Sequence, residues 1–472
     1  MNINDNSNSF NNYINLAKEI VMQKTVSRGS PLKVFVQTFG CQQNEADSER
    51  LYGMALSMGY EYSDSLENAD LVIFNTCAVR EHAELKALSK TGQLKHRKAQ
   101  NPDMIVVICG CMVAQDHRLN DIKNRYPYVD LLLGATSPQM FPEYLYGILK
   151  EKHRAFHPDE NAVITEGIPV RRASDFKAWV SIMYGCNNFC TYCVVPYVRG
   201  RERSRKKEDI LLEVGQLVSD GYKEITLLGQ NVNSYGHDLY SDYDFADLLS
   251  DICKIKGDYW IRFMTSHPKD ASLKLISVIA ENSKEDSKPH IAKHFHLPLQ
   301  AGSDRVLKEM NRHYTSDAYF ELVRHMKEQI PNITLSTDII VGFPTETDED
   351  FDRTVDMLEK VRYDSLYSFI YSIRKGTPAE KMEQVPEDIK GERFKRLLDV
   401  QNRISWENNQ KYIGREEKVL VEGRSKTNPE MMTGRNEHNR LVHFRADDQL
   451  TGSFRKVKIT GADTYSLMGE LV

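Results

Sequence analysis

The sequence predicts an α/β protein in three parts: an N-terminal parallel α/β sheet domain, a central partial (β/α)6 barrel and a small C-terminal all-β barrel. Three observations predict it. Short β-branched runs alternate with amphipathic helical stretches from Leu32, a second alternating series opens at Trp179, and beyond Tyr412 the helical pattern gives way to short alternating strands. A length of 472 residues is that of two to four domains at about 150 residues each.

Residues 1–31 are Asn- and Ser-rich and read as a polar tail with one short helix around Leu16 to Gln23. The N-terminal domain, 32–155, follows with strands at Lys33 to Gln37, Leu71 to Asn75, Met104 to Ile108 and Asp130 to Gly134. Helices are expected near Ala46 to Met58, Glu81 to Lys95 and Arg118 to Arg125. The stretch 156–175, with Pro158, Gly167 and Pro169, reads as a connector. The central domain, 172–405, has strands at Trp179 to Met183, Glu224 to Leu228, Trp260 to Thr265, His290 to Leu297, Ile333 to Val341 and Asp364 to Ile373. In such a series functional residues collect at the carboxyl ends of the strands. A long charged helix over Gly391 to Asn409 leads into 408–472, where five short strands between Lys418 and Leu471 suggest a small barrel.

The composition is 40% hydrophobic and 27% charged with a formal net charge of -5, that of an ordinary soluble protein and not of a general polyanion binder. Any nucleic-acid surface is therefore local. No run approaches the roughly 20 apolar residues of a membrane span, and the first thirty residues hold no signal-peptide stretch, so a cytoplasmic protein is expected. In that reducing compartment eight cysteines read as metal ligands or buried small hydrophobes, not as disulfides.

Cys186, Cys190 and Cys193 form a CxxxCxxC run directly after the first strand of the second series. Three closely spaced thiolates hold three corners of a cubane iron-sulfur cluster; the usual complete set is four cysteines, so one iron is left for an outside ligand. Structural zinc takes four protein ligands, often as two CxxC knuckles, and no second knuckle follows at matching spacing. Cys41, Cys77 and Cys111 lie far apart, yet each falls just past a predicted strand. The carboxyl ends of parallel strands share one edge, so these thiols are expected to converge on a second cluster, with ordinary core burial as the alternative. Cys109, inside an apolar run, reads as packing, and so does Cys253 in its helical stretch.

The Cys186 segment resembles the signature of radical S-adenosylmethionine (SAM) enzymes. Thr38-Phe39-Gly40-Cys41-Gln42-Gln43-Asn44 with Asp47-Ser48-Glu49, and Asn75-Thr76-Cys77-Ala78-Val79-Arg80, look like the opening motifs of the radical SAM methylthiotransferases. The run from Cys186 into Val194-Val195-Pro196-Tyr197-Val198-Arg199-Gly200-Arg201 is most similar to their tRNA 2-methylthioadenosine synthase branch. The likeness covers residues 32–472. It departs at Gln43, where methionine is expected, and at Tyr184, where an acidic residue is usual.

This resemblance implies two 4Fe-4S clusters and SAM as cofactors. Cys186, Cys190 and Cys193 would hold the cluster that binds SAM and cleaves it to methionine and a 5′-deoxyadenosyl radical. Cys41, Cys77 and Cys111 would hold an auxiliary cluster carrying a sulfide or polysulfide. One SAM would methylate that sulfur, and a second would supply the radical that takes hydrogen from carbon 2 of N6-isopentenyladenosine beside the anticodon. An unactivated aromatic C–H bond gives side-chain acids and nucleophiles no hold, so the cofactors carry the hard step.

For SAM contacts the same reading points to strand ends: Gly229, Gln230 and Asn231, then Ser266 and His267, then Gln300 with Ala301, Gly302 and Ser303, then Asp338 and Gly342. Glycines allow close backbone approach and amides or hydroxyls bind polar groups, while turn chemistry and helix caps such as Ser303 are the plain alternative. The implied partners are a tRNA anticodon stem-loop and an electron donor such as a flavodoxin or ferredoxin, with the chain a monomer. The basic run Arg199, Arg201, Arg203, Arg205, Lys206 and Lys207 follows the cluster loop and is expected to meet phosphate. The segment from Lys411 resembles the family's TRAM domain, associated with tRNA binding. It carries 11 Lys plus Arg against 9 Asp plus Glu, 11 − 9 = +2, with Arg424, Lys426, Arg435, Arg440 and Arg445 as candidate contacts. Rival substrates within the family are threonylcarbamoyladenosine in tRNA and a ribosomal-protein aspartate; a two-cluster electron carrier would normally enclose each cluster with four cysteines.

Overall fold

Leu71–Thr76 and Ile105–Gly110 are buried at every position, as a parallel sheet covered on both faces requires. The computed structural model, which describes residues 3–157 and 163–472, places them at the centre of a six-stranded parallel sheet. The strands are β1 (Lys33–Phe39), β2 (Glu61–Tyr62), β3 (Leu71–Thr76), β4 (Ile105–Gly110), β5 (Leu131–Leu133) and β6 (Ala155–His157), in the order β2-β1-β3-β4-β5-β6. Around them run α1 (Ile3–Arg28), α2 (Gln42–Ser57), α3 (Glu81–Gln100), α4 (Asp116–Arg125) and α5 (Phe141–Glu151). Alternate side chains sort by parity. Ile73, Ile105, Val107 and Cys109 join residues of α1, α2 and α5, whereas Val72, Phe74, Val106 and Ile108 join residues of α3 and α4.

The short helix expected around Leu16 to Gln23 within a polar tail is part of a longer one, α1 over Ile3–Arg28. In α1, Ile14, Ala17 and Val21 stand at i, i+3 and i+7 and are buried in the sheet's core, and Arg28 pairs with Asp70 at 2.5 Å. Of the connector, Pro158 lies outside the described residues. Its later part is strapped to α2: the Arg171 amide donates to the Glu49 carbonyl at 3.0 Å, and its guanidinium lies 4.0 Å from the Tyr62 ring centre.

The chain divides into two compact units. One is Met1–Ala173 with Tyr184–Asn187 and Val194–Arg203; the other is Ser174–Met183, Asn188–Cys193 and Ser204–Val472. After β7 (Lys177–Ser181) come β8 (Met183–Tyr184), α6 (Val195–Arg199), β9 (Arg203–Ser204), α7 (Lys207–Ser219), β10 (Glu224–Leu228), α8 (Phe245–Ile252), β11 (Trp260–Phe263) and α9 (Leu273–Asn282). Then follow β12 (His290–Ile291), β13 (His294–His296), α10 (Asp304–Glu309), α11 (Ser316–Gln329), β14 (Thr334–Val341), α12 (Asp348–Val361), β15 (Ser365–Ile370) and α13 (Glu387–Gln410). The second unit forms the partial barrel from two parallel sheets, β12-β11-β10-β7 and β13-β14-β15. The strand expected over His290 to Leu297 is therefore two strands. The chain turns between them, with the His294 amide on the Ala292 carbonyl at 2.8 Å, so each half pairs with a different neighbour.

The C-terminal strands β16 (Glu416–Arg424), β17 (Met432–Asn436), β18 (Leu441–Phe444), β19 (Phe454–Ala462) and β20 (Ser466–Leu471) close a five-stranded barrel. Val419, Val421, Val442, Phe444, Val457 and Ile459 alternate inward to fill it. It caps the amino-terminal ends of the (β/α) strands. Trp260 packs on Phe454 at 4.7 Å, His290 Nε2 meets Glu437 at 2.6 Å, and Thr334 Oγ1 donates to the His438 carbonyl at 3.0 Å.

Candidate iron-sulfur active site

In the first unit, β1, β3 and β4 are neighbours, and each is followed at its carboxyl end by one of the three cysteines. The ladder continues one step past the strands: the Cys77 amide donates to the Phe39 carbonyl at 2.9 Å and the Cys111 amide to the Thr76 carbonyl at 2.9 Å. Gly110 makes the last step possible. Its φ is +96°, and a Cβ there would lie 2.3 Å from the Thr76 carbonyl oxygen, so no side chain fits. Cys41 is the N-cap of α2 and is exposed, whereas Cys77 and Cys111 are buried.

Asn44 ties this edge together. Its Nδ2 donates to Asn75 Oδ1 at 3.1 Å and to the Thr76 carbonyl at 3.2 Å, while its Oδ1 accepts from the Cys41 amide at 3.3 Å. The thiols sense one another. Cys41 is pulled down to about 6, chiefly by the hydrogen bond from the Cys77 thiol, with the Arg199 guanidinium adding to the effect. Cys77, as donor, is raised, and burial raises Cys111 against the pull of Arg199. Cys109, by contrast, is in the hydrophobic core with its thiol raised by burial, as its place inside the apolar run implies. Cys253 is core as well. Among the described residues no three His, Cys, Asp or Glu side chains meet at a single metal-ion position. A cubane spreads its ligands over three iron corners, and three thiols at one sheet edge, one already favouring its thiolate, suit that group.

Arg199 overturns part of the basic-run reading. It is 3% exposed and gives Nε to Cys111 Sγ at 3.1 Å and Nη2 to Asp47 Oδ2 at 2.8 Å, so it is spent inside the protein and not on phosphate. Arg205 is likewise buried, donating to the Ser181 carbonyl at 2.8 Å and to Glu213 at 2.7 Å. Arg203 remains near solvent and, with Arg50, Gln139 and Tyr184, lines a cleft of about 410 Å³ open to solvent that Arg199 also borders. At the atypical Tyr184, the hydroxyl accepts from Arg50, whose guanidinium lies 5.6 Å from the ring centre.

The CxxxCxxC run is divided between the units. On the first, the Cys186 amide donates to the Gly200 carbonyl at 3.1 Å, and Gly185 at φ +77° leaves room for the Arg201 carbonyl. On the second, Cys190 and Cys193 sit in a loop pinned by the segment after α10. Thr191 N donates to the Met310 carbonyl at 3.1 Å, and Asn311 Nδ2 donates to the Asn188 and Phe189 carbonyls at 3.2 and 3.1 Å. Arg312, 4% exposed, gives Nη1 to Cys190 Sγ at 3.4 Å, Nη2 to the Pro298 carbonyl at 3.0 Å and Nε to Tyr314 Oη at 3.0 Å. Nothing in the sequence singled it out: it follows α10, well past the end of β13.

Of the proposed SAM contacts, Gly229, Gln230 and Asn231 follow β10, Ser266 lies past β11, Gln300 past β13 and Gly342 directly past β14, whereas Asp338 stands inside β14. The Val232 amide donates to the Thr265 carbonyl at 2.9 Å, bringing the loops after β10 and β11 together. There Asn231 Oδ1, Asn233 Oδ1 and Nδ2, Ser266 Oγ and His267 Nε2 are buried without a protein partner among the described residues. Polar atoms left so are what a polar ligand satisfies. His267, a strand-end candidate beside Ser266, has its ring edge-on to Tyr314 at 5.6 Å, and burial drives its pKa down, so it stays neutral. Gln300, at φ +71°, bridges to β14: its amide donates to the Asp338 carbonyl at 2.8 Å. Gln230 adjoins Asn231, whereas the two glycines have packing reasons. A Cβ on Gly229 would meet Met183 at 2.6 Å and one on Gly342 would meet Lys390 at 2.3 Å.

In the C-terminal barrel the candidate arginines do not form a free basic face. Arg440 is 8% exposed and bound to Asp364, Arg424 pairs with Asp448 at 2.5 Å, and Arg435 and Arg445 lie 3.7 Å from Glu422 and Glu430. Lys426 is exposed. No helix among the described residues is long and apolar enough to cross a membrane.

Comparison with known proteins gives three family matches: Uncharacterized protein family UPF0004 over residues 33–134, the Radical SAM superfamily over 180–358 and the TRAM domain over 410–472. Curated relatives run the length of the chain. The tRNA-2-methylthio-N(6)-dimethylallyladenosine synthase of Acetivibrio thermocellus is 51% identical over 98% of this chain and 95% of its own. Those of Clostridium perfringens and Alkaliphilus oremlandii are 50% and 51% identical, each over 95% of this chain, covering 100% and 94% of their own. Among solved structures, the radical S-adenosylmethionine methyltransferase TsrM of Kitasatospora setae superposes with a TM-score of 0.53 at 13% identity, over 74% of each chain, a likeness of fold.

Proposed function

From the premise that this chain belongs to the family of tRNA-2-methylthio-N(6)-dimethylallyladenosine synthases, we propose that Cys186, Cys190 and Cys193 hold the SAM-binding cluster and Cys41, Cys77 and Cys111 the auxiliary one. The chain is a radical SAM transferase that acts on tRNA, placing a methylthio group on carbon 2 of N6-isopentenyladenosine with two 4Fe-4S clusters and SAM. When bound, these groups supply one-electron, hydrogen-abstracting and sulfur-transfer chemistry that side chains lack.

The protein's own residues hold and orient. Residues 32–155 present three thiols from three strand ends; 172–405 present Cys190 and Cys193 on a loop that Asn311 and Arg312 fix; 408–472 are assigned to tRNA. Asn231, Asn233, Ser266 and the neutral His267 offer hydrogen-bond partners to the polar ends of SAM, with Gln230, Gln300 and Asp338 beside them. The target adenine enters unstacked, as a loop nucleotide of the anticodon stem-loop permits and a duplex does not. Arg50 and Arg203, on the cleft beside Arg199, are the local phosphate contacts in an otherwise acidic protein. A cytoplasmic monomer fed by a flavodoxin or ferredoxin completes the reading.

The observation that supports it is the placement of Cys41, Cys77 and Cys111 at the carboxyl ends of three neighbouring strands, since a second open thiol centre is what sulfur insertion adds to SAM cleavage. The test is mass spectrometry of tRNA nucleosides from a host lacking this activity. The intact chain restores 2-methylthio-N6-isopentenyladenosine and Cys186→Ala does not. Appearance of a methylthiolated threonylcarbamoyladenosine in its place would assign the substrate to the rival.

A further inference from the structure

A buried arginine must be paired, and Arg199 divides itself between a thiol and a carboxylate. Its Nε is 3.1 Å from Cys111 Sγ and its Nη2 is 2.8 Å from Asp47 Oδ2; the other oxygen of Asp47 accepts from Gln43 Nε2 at 3.1 Å. All are sequestered, with Gln43, Asp47 and Arg199 exposed by only 4%, 6% and 3%. Gln43 and Asp47 stand one turn apart on α2, whose N-cap is Cys41 and whose Asn44 is tied to the strand that carries Cys77. The row therefore ends on the same rigid edge that presents the thiols, and it includes Gln43, one of the two places where this sequence leaves the family pattern.

We propose that Asp47, steadied by Gln43, sets how much of the Arg199 charge reaches the auxiliary cluster and so sets that cluster's reduction potential. The inference rests on Cys41, Cys77 and Cys111 holding that cluster. One-electron reduction adds a negative charge at the thiolate cage. A guanidinium on one thiolate favours it, and a carboxylate on the guanidinium takes part of that favour back; in a buried site both effects are weakly screened. Arg199 and Asp47 are positioning residues, acting through Cys111 and not on substrate.

A purely structural ion pair makes a different forecast. Breaking it from either side lowers stability and leaves the potential where it was, whereas the proposal requires opposite shifts from neighbouring substitutions. The experiment uses the full chain carrying Cys186→Ala, Cys190→Ala and Cys193→Ala, loaded anaerobically with iron and sulfide, and follows the remaining cluster by electron paramagnetic resonance during a dithionite titration. Arg199→Gln lowers the midpoint and Asp47→Asn raises it, with Gln43→Met moving it least. Unchanged midpoints, or shifts of the same sign, overturn the proposal. If Arg199→Gln does not hold iron, Asp47→Asn decides alone: a rise supports the proposal and anything else overturns it. If the parent holds no iron, or keeps its iron when Cys41, Cys77 and Cys111 are also replaced, the cluster assignment itself fails and takes this proposal with it.

Discussion

The two thiol centres are built by opposite routes. Cys41, Cys77 and Cys111 are distant in sequence and share one sheet edge because three adjacent parallel strands end together, with Asn44 and Asn75 lacing that edge. Cys190 and Cys193 are near neighbours whose loop is held from outside, by Asn311 and Arg312 on a later segment. Their arginines differ as well. Arg199 shares its charge with Asp47, whereas the other groups bonded to Arg312, the Pro298 carbonyl and the Tyr314 hydroxyl, are neutral. One set of thiols is thus placed by strand ends, beside an arginine shared with a carboxylate; Cys190 and Cys193 sit in a pinned loop, beside an arginine whose other partners are neutral.

The sharpest way to break this contrast is to remove one centre at a time. Replacing Cys41, Cys77 and Cys111 by alanine should halve the iron, from about eight per chain to about four, and abolish methylthiolation while 5′-deoxyadenosine is still formed from SAM. Replacing Cys186, Cys190 and Cys193 should halve the iron equally but end both activities. Iron analysis and chromatography of the nucleoside products read both. Equal loss of SAM cleavage in the two variants would mean that the centres are not separable.

A smaller effect tests whether the fold holds the auxiliary centre. In Gly110→Ala the new Cβ collides with the Thr76 carbonyl at 2.3 Å and φ +96° is strained for alanine. The expected cost is about 1–3 kcal/mol together with a displaced Cys111. Thermal denaturation should show the loss, and iron analysis should show the auxiliary cluster depleted while SAM cleavage persists. A variant that keeps both clusters would show that the backbone step after β4 does not position the thiol.

How much of this was legible beforehand follows from the same contrast. The strand ends were readable, because apolar runs bounded by small residues mark parallel strands, and the end of the run at Gly110 separates Cys109 inside the strand from Cys111 past it. The helix α1 was legible only over Leu16 to Gln23, since Asn and Ser mask the Ile14, Ala17 and Val21 spacing that extends and packs it. Charge partners were equally hidden. Arg199 and Arg440 look like surface cations in sequence, and only tertiary contacts with Asp47 and Asp364 reveal them as interior. Arg312 escaped notice for that reason too: its contact with Cys190 comes from what the fold brings beside it.

The mildest test concerns the floor of the second unit, where the C-terminal barrel docks. Burial opposes the charge of Glu437, yet the hydrogen bond with His290 and the nearby His438 and Lys293 hold its carboxyl at about 2, below the ordinary 4.5. The sign follows from proton counts. Between these values the unfolded chain binds a proton that the folded chain does not, so the stabilisation is complete above pH 4.5 and is lost as pH falls toward 2. Its size is on the order of 2 kcal/mol for a largely buried group. Glu437→Gln should therefore melt earlier than the parent at pH 6, with the gap closing as the pH is lowered through that window. Parallel melting curves at every pH would remove Glu437 from the contacts that seat the barrel, leaving Arg262 on the Asn436 carbonyl at 2.8 Å and Arg440 on Asp364 to do so.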